Sequence, residues 1–165
     1  NKTNKDGGIA FIGDSIVHNP LASSDVGLTP DRGDWNAILG RTDCDNYGIG
    51  GETSEHILNR IYQLLDDDCN YRQIVSLFGI NDIGLEANDQ MVIDRVIGNY
   101  KKVLDTVAQS PKKPSDGMFI ISLLPSTPAT YEGTQERIVK VNTGLEELCG
   151  EYEFVTFVNW YDALL

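Results

Sequence analysis

The sequence predicts an α/β fold in which five parallel strands alternate with helical segments that wrap both faces of one sheet. Five short apolar runs are bounded by turn residues, as is typical of strands that are buried on both faces. Apolar residues at helical spacing lie between several of these runs. Strands that are joined by helices run parallel, and their crossover connections are right-handed.

Each predicted strand ends at a glycine, a proline or a polar cluster. The strands are expected at about residues 9–12, 44–47, 74–78, 118–124 and 154–158. The helices are expected over residues 35–39, from residue 54 onward, over residues 89–108, and on the segment that carries Ile138, Val141, Leu145 and Leu148. We therefore expect a flexible lead-in over residues 1–8 and a single domain over residues 9–165.

The composition narrows the classes of partner. A formal net charge of -12 disfavours binding to a phosphate backbone, which needs a lysine and arginine surface, so nucleic acid is not an expected partner. No window approaches the roughly 20 apolar residues of a membrane span, and no signal-peptide pattern opens the chain. We expect a soluble protein, either cytoplasmic or secreted after removal of a signal. The 3 cysteines lack metal-ligand spacing, which predicts buried free thiols.

Polar or glycine-rich segments follow three consecutive predicted strands. Ser15 follows the first strand, a turn over residues 48–51 follows the second, and Asn81 follows the third. Because a parallel sheet brings these ends side by side, they would line one crevice. A serine hydroxyl beside amide donors suits acyl transfer, in which the donors stabilise the oxyanion that forms from the carbonyl oxygen. The alternative is that Ser15 is only the N-cap of a helix.

These segments resemble three motifs of the SGNH, or GDSL-like, hydrolases, a family of esterases and lipases. The motifs are Gly13-Asp14-Ser15, Asn46-Tyr-Gly-Ile-Gly-Gly-Glu-Thr53 and Gly79-Ile-Asn81-Asp82. The resemblance implies a flavodoxin-like three-layer sandwich with Ser15 as the nucleophile. It also implies an oxyanion hole made by the Ser15 amide, the Gly51 amide and the Asn81 side chain. Asp14 would support the turn by hydrogen bonding, and no metal or organic cofactor is implied.

The chain departs from this family at its carboxyl end. The family supplies its base and orienting acid from an Asp-x-x-His pair after the last strand, followed by a closing helix, and the sequence reaches Leu165 before either. The remaining candidate bases are His18, for which a local turn or surface role is simpler, and His56, which falls in the first turn of a helix. A serine without an activating base is a poor nucleophile, so we expect these residues alone to be inactive or nearly so.

The absent final helix has a second consequence, which is an exposed apolar face on the sheet. Soluble domains rarely expose large apolar patches. We therefore expect the domain to be incomplete at its carboxyl end, with a missing C-terminal segment or a partner chain in an oligomer covering this face.

The resemblance implies a small-molecule ester as the substrate. The predicted loops over residues 18–34, 83–90 and 125–134 are short and not conspicuously apolar, which favours a small acyl group such as acetyl on a carbohydrate. The first alternative is a non-catalytic module that binds a carbohydrate or a partner in the same crevice. A flavodoxin-like nucleotide or flavin binder fits the fold class, but residues 48–51 lack the lysine of a P-loop.

Overall fold

Strands and helices alternate along the computed structural model, which describes residues 6–20, 33–125 and 134–165. The strands are β1 (Ile9–Gly13), β2 (Cys44–Gly48), β3 (Gln73–Leu77), β4 (Met118–Ile121) and β5 (Val155–Val158). The α-helices are α1 (Ser15–His18), α2 (Trp35–Leu39), α3 (Ser54–Arg60), α4 (Asp89–Gln109), α5 (Thr134–Cys149) and α6 (Trp160–Ala163). Short 3₁₀ segments follow α3 at Ile61–Leu64 and β3 at Ile80–Asp82.

The strands form one parallel sheet in the order β2-β1-β3-β4-β5, with helices on both sides, which confirms the predicted fold class. Strand β1 lies between β2 and β3, and Gly13 at its carboxyl end is in register with Gly48 and with Leu77. The segments that follow these three strands therefore leave the sheet side by side. This is the edge at which open α/β sheets bind their ligands.

One face of the sheet is closed by the main hydrophobic core. Its alternate residues are buried in the same cluster as the inward residues of α3, α4 and α5. These sheet residues are Ala10, Ile12, Ile74, Met118 and Ile120. Tyr100 of α4 stacks on Phe78 with 3.9 Å between ring centroids, and its hydroxyl donates to the Phe78 carbonyl oxygen at 2.8 Å. This contact fixes α4 to the segment that leaves β3.

The fourth strand is shorter than the sequence predicts. The apolar run continues to Leu124, but β4 ends at Ile121. The Leu123 N–H donates to the Asn142 side-chain oxygen at 2.8 Å, and the Leu123 carbonyl accepts from the Asn142 amide at 2.9 Å. The Asn142 side chain therefore forms the hydrogen bonds with the Leu123 backbone that a neighbouring strand would otherwise form.

The opposite face of the sheet is only partly covered by the described residues. Trp35 of α2 stacks on Phe11 with 4.2 Å between ring centroids. Farther across the sheet, Val75 and Phe119 are half-buried, and β5 has no fully buried residue. An apolar cleft of about 400 Å³ is lined here by Phe11, Trp35, Leu77, Ile121, Leu124 and Trp160, among others. What covers this face stays a prediction.

The predicted lead-in is hydrogen-bonded where the structure describes it. Gly7 donates its N–H to the Asn70 carbonyl at 2.8 Å, and the Gly8 carbonyl accepts the Arg72 N–H at 3.0 Å. Residues 1–5 lie outside the described residues. Most of the predicted loops over residues 18–34 and 125–134 also lies outside them.

Candidate active site at the carboxyl edge of the sheet

Ser15 is the first residue of α1 and follows β1 after the turn at Asp14. Asp14 is the N-cap of this helix, because its Oδ1 accepts the Ile16 N–H at 3.0 Å. The interpretation of Ser15 as the cap is therefore wrong. The Ser15 side chain is half-buried, and within the described residues neither its N–H nor its hydroxyl makes a hydrogen bond.

The turn after β2 presents the backbone amide of Gly51. This exposed glycine has a φ of 79°, in the left-handed region that glycine adopts without strain. No acceptor for its N–H is found among the described residues. The turn is held against the end of β1, because the Ile49 N–H donates to the Gly13 carbonyl at 3.0 Å.

Asn81 lies in the 3₁₀ segment after β3 and contacts the turn that carries Gly51. Its Nδ2 donates to the Glu52 carbonyl oxygen at 2.8 Å. An amide nitrogen carries two hydrogens, so one N–H of Asn81 is left over. Asn81 is thus hydrogen-bonded to the residue that follows Gly51. Ser15 lies at the same edge of the sheet, because the end of β1 is in register with the ends of β2 and β3.

Arg60, which is buried, forms an ion pair with the half-buried Glu52 behind this edge. The Arg60 Nε donates to Glu52 Oε2 at 2.7 Å, and Arg60 Nη2 donates to the Gly13 carbonyl at 3.2 Å. Sequence reasoning missed this pair, although one signal was present. Arg60 falls on the apolar stripe of α3, three residues after Ile57 and four before Leu64. A charged residue on a buried stripe indicates a buried partner.

Asp82 is a second buried charge and joins the third motif to the start of α3. Its Oδ2 accepts the Ser54 N–H at 2.8 Å, and its Oδ1 accepts the Ser54 hydroxyl at 2.7 Å. Burial raises the pKa of Asp82, while these bonds from Ser54 act in the opposite direction. Asn99 of α4 donates to the same Ser54 hydroxyl oxygen at 2.9 Å. No sequence pattern indicated this network, because its members come from three separate segments.

The carboxyl group of Asp14 is fully buried beside Ser15. Burial is the main cause that raises its pKa from 3.8 to about 6, and the negative charges of Asp82 and Glu52 add to the rise. The hydrogen bond from Ile16 opposes it. Asp14 Oδ2 has no hydrogen-bond partner among the described residues. The ionised form of Asp14 is therefore destabilising in the folded chain.

We expect an Asp14→Asn variant to gain stability over the wild type as pH rises from about 4 to about 8. The folded wild type holds its proton to a higher pH than the unfolded chain, so its stability falls through this window and levels off above about pH 6. The full effect is about 3 kcal/mol. Urea unfolding of both proteins at several pH values measures it. A pH-independent cost of the substitution cancels in the comparison.

Asp89 provides the control for this titration. Its pKa is lowered, first by the hydrogen bond from Lys140 and then by that from Arg137. Stability from Asp89 is therefore present above its ordinary pKa and is lost as the pH falls below it. An Asp89→Asn variant should lose stability at about pH 8 and lose less at low pH. A stability difference between Asp14→Asn and wild type that does not change with pH would contradict the prediction for Asp14.

Both histidines have hydrogen-bond partners among the described residues. His18 Nδ1 lies 3.2 Å from the Gly48 carbonyl oxygen, and since a carbonyl only accepts, Nδ1 carries the hydrogen there. His56 Nδ1 accepts the Thr53 N–H at 3.0 Å and closes a capping box at the start of α3. His56 therefore lies in the first turn of α3, as the sequence predicts, whereas the His18 contact is with the end of β2, 30 residues away, and not with its own turn.

The cysteines, as predicted, are free and buried at positions 44, 69 and 149. Over residues 6–20, 33–125 and 134–165, no group of three or more histidine, cysteine, aspartate or glutamate side chains is arranged to hold a metal ion. None of the helices in those ranges combines the length and the apolarity that crossing a membrane requires.

The fold and the strand ends define the class of protein, which is an α/β protein with a serine at the carboxyl edge of a parallel sheet. Within that class, the chain belongs to the GDSL-like Lipase/Acylhydrolase family, whose family model matches residues 11–165. The match spans all three motifs and confirms the resemblance seen in the sequence. It places the chain among the hydrolases of this family.

Solved structures share the fold. A Streptococcus pneumonia protein described as a candidate platelet activating factor is 25% identical, with a TM-score of 0.70 over 97% of this chain and 69% of that chain. Axe2, an acetylxylan esterase from Geobacillus stearothermophilus, is 18% identical, with a TM-score of 0.65 over 98% of this chain and 80% of that chain. LAE5, an α/β hydrolase enzyme from the metagenome of Lake Arreo, is 17% identical, with a TM-score of 0.63 over 98% and 82% of the two chains. No curated protein matches the chain.

Proposed function

We propose that this chain forms the main part of a serine ester hydrolase in which Ser15 is the nucleophile. One observation carries the proposal. At neighbouring strand ends, the Ser15 and Gly51 backbone amides have no acceptor among the described residues, and the Asn81 amide has one N–H left after its bond to Glu52. An oxyanion hole requires donors that converge on one oxygen, and we propose that these three N–H groups do so.

The reaction follows from these roles. The Ser15 oxygen attacks the acyl carbonyl carbon, its proton passes to a base, and the carbonyl oxygen becomes an oxyanion that the three N–H groups stabilise. The tetrahedral intermediate then expels the alcohol, which takes up the proton. A water molecule attacks the resulting acyl-serine ester by the same route and releases the acid.

The proposed base comes from outside the site described above. His18 and His56 each have a structural partner, and neither is assigned this role. The family resemblance assigns it to the histidine of an Asp-x-x-His pair. We propose that such a pair, on a segment after residue 165 or on another chain, completes the site and covers the open apolar face, and that residues 1–165 alone hydrolyse esters poorly.

We propose small acyl esters of carbohydrates as the substrate class. The fold similarity to Axe2, whose own substrate is acetylxylan, supports this choice, as do the short predicted loops around the site. A small acyl group places little apolar surface on the protein, which agrees with an edge built from glycine, serine and asparagine. Hydrolysis of an acetylated xylo-oligosaccharide, compared with a long-chain p-nitrophenyl ester, tests the preference.

The test of the function is p-nitrophenyl acetate hydrolysis by the full gene product and by residues 1–165, each with and without Ser15→Ala. We expect turnover that depends on Ser15 in the longer protein and little in the shorter one. Intact mass spectrometry of the purified protein shows which form is being assayed. If no form of the protein shows turnover that depends on Ser15, the enzyme assignment is wrong.

A second candidate function is a non-catalytic module that binds a carbohydrate or a partner in the same crevice. The hydrogen bonds of both histidines to groups of the chain itself favour it. Calorimetric binding of acetylated and deacetylated xylo-oligosaccharides separates the two functions. A binding module would hold either sugar without releasing acetate, whereas the esterase would convert the acetylated sugar.

A further inference from the structure

Arg60 contacts two of the three motif segments. Its side chain is 9% exposed and that of its partner Glu52 is 15% exposed. Arg60 contacts the Glu52 carboxylate through Nε and the Gly13 carbonyl through Nη2. A single guanidinium thus binds a side chain of the second motif and a backbone oxygen of the first.

The backbone atoms that this pair holds are adjacent to the proposed oxyanion donors. Gly13 is two residues before Ser15, and Glu52 directly follows Gly51. The Glu52 carbonyl also accepts the Asn81 amide at 2.8 Å. A shift of Glu52 relative to Gly13 would therefore move the Gly51 and Asn81 donors relative to the Ser15 donor.

The burial of this pair is not explained by stability. Removing two charges from water costs several kcal/mol per ion, and a well-packed apolar pair is often as stable or more stable. Arg60 Nη1 also lacks a hydrogen-bond partner among the described residues, which adds to the cost. A pair retained at such a cost needs a benefit other than stability.

We propose that Arg60, held by Glu52, is a positioning residue that sets the spacing of the Ser15, Gly51 and Asn81 donors. The catalytic consequence rests on the proposed function, whereas the structural one does not. Arginine suits the task because its planar fork donates to two acceptors in fixed directions. The charge of lysine is concentrated on one nitrogen, so a lysine would hold only one of the two acceptors firmly.

The first test compares residues 1–165 with the variants Arg60→Met, Arg60→Lys and the double variant Glu52→Met with Arg60→Met. We expect Arg60→Met to melt lower, because it leaves Glu52 buried without its partner, and the double variant to melt within about 4 °C of wild type. In the double variant, the NMR signals of the Asn81 side-chain amide should shift and its hydrogen exchange should be at least about tenfold faster. Arg60→Lys should lie between.

Arg72 supplies the matched control. It also bridges two segments, through Asp43 and Asp116, but it lies at the opposite end of β3. Arg72→Met should leave the Asn81 signals and their exchange unchanged. The proposal is overturned if the double variant keeps the wild-type Asn81 signals and exchange rates, because the pair would then act on stability alone.

The second test is kinetic and uses whichever form of the protein shows turnover that depends on Ser15. The double variant should lose at least about tenfold in kcat with KM within about twofold, because the donors act on the transition state and not on ground-state binding. Unchanged kcat would overturn the positioning role. If no form turns over the ester, the proposed function fails, and the NMR comparison still decides whether the pair positions Asn81.

Discussion

Gly13→Ala is expected to unfold the chain or to destabilise it by at least about 4 kcal/mol, most of the stability of many domains of this size. A Cβ atom at this position would stand 2.0 Å from the Leu77 carbonyl oxygen and 2.5 Å from a Val17 methyl carbon. The first contact is with the backbone of β3, which cannot rotate away as a side chain can. Relief therefore requires β1 and β3 to separate at the edge where the site lies.

Gly98→Ala in α4 is the control, because a Cβ atom there would meet no atom within 4 Å. That variant should gain up to about 1 kcal/mol, since alanine favours a helix over glycine. Urea unfolding followed by far-ultraviolet circular dichroism measures both. A Gly13→Ala protein with a transition midpoint close to that of wild type would show that the two strands can move apart at little cost, contrary to the close approach seen here.

The parts of the fold that could be predicted are those that local patterns determine. A buried strand is a short apolar run, so the existence of β1 to β5 and their positions along the chain followed from the sequence. Ser15 and Asn81 could be proposed as site residues because they follow strands closely, whereas the choice of Gly51 within its turn came from the family resemblance. Where the end of a strand is set by a contact with a distant residue, the apolar pattern does not predict where the strand ends. The fourth apolar run does not stop at residue 121. The Ser122 N–H still donates to Val158 of β5, but the backbone groups of Leu123 bind the buried Asn142 side chain instead of a neighbouring strand.

The charged network behind the site could not be predicted for the same reason. Ser54 and Asp82 are 28 residues apart, and Arg60 reaches the Gly13 carbonyl across 47 residues. Only the folded sheet brings such groups together. Whether Asp14 or Ser15 caps the helix also could not be decided from the sequence, because both residue types cap well. The cap depends on the residue at which β1 ends and the helix begins.

Asn81→Ala is expected to lower kcat by about 10²–10³-fold, or about 3–4 kcal/mol of transition-state stabilisation, with little change in KM. Its amide donates one hydrogen to the Glu52 carbonyl, and the other is the one proposed to stabilise the oxyanion. Loss of the first bond should lower stability by only about 1 kcal/mol. Kinetics with p-nitrophenyl acetate and thermal unfolding of the same sample separate the two effects, and Ser15→Ala sets the floor of the assay.

Asn88→Ala is the matched control for that substitution. Asn88 is the N-cap of α4, where its Oδ1 accepts the Met91 N–H at 2.9 Å, so the variant should also lose about 1 kcal/mol of stability. Its kcat should not change, because the bond given for its side chain is to the backbone of α4 and not to a proposed donor. Asn81→Asp should be slower than Asn81→Ala, since a carboxylate would repel both the oxyanion and the Glu52 carbonyl. Equal kcat values for Asn81→Ala and Asn88→Ala would remove Asn81 from the oxyanion hole and leave it as a brace for the turn that carries Gly51.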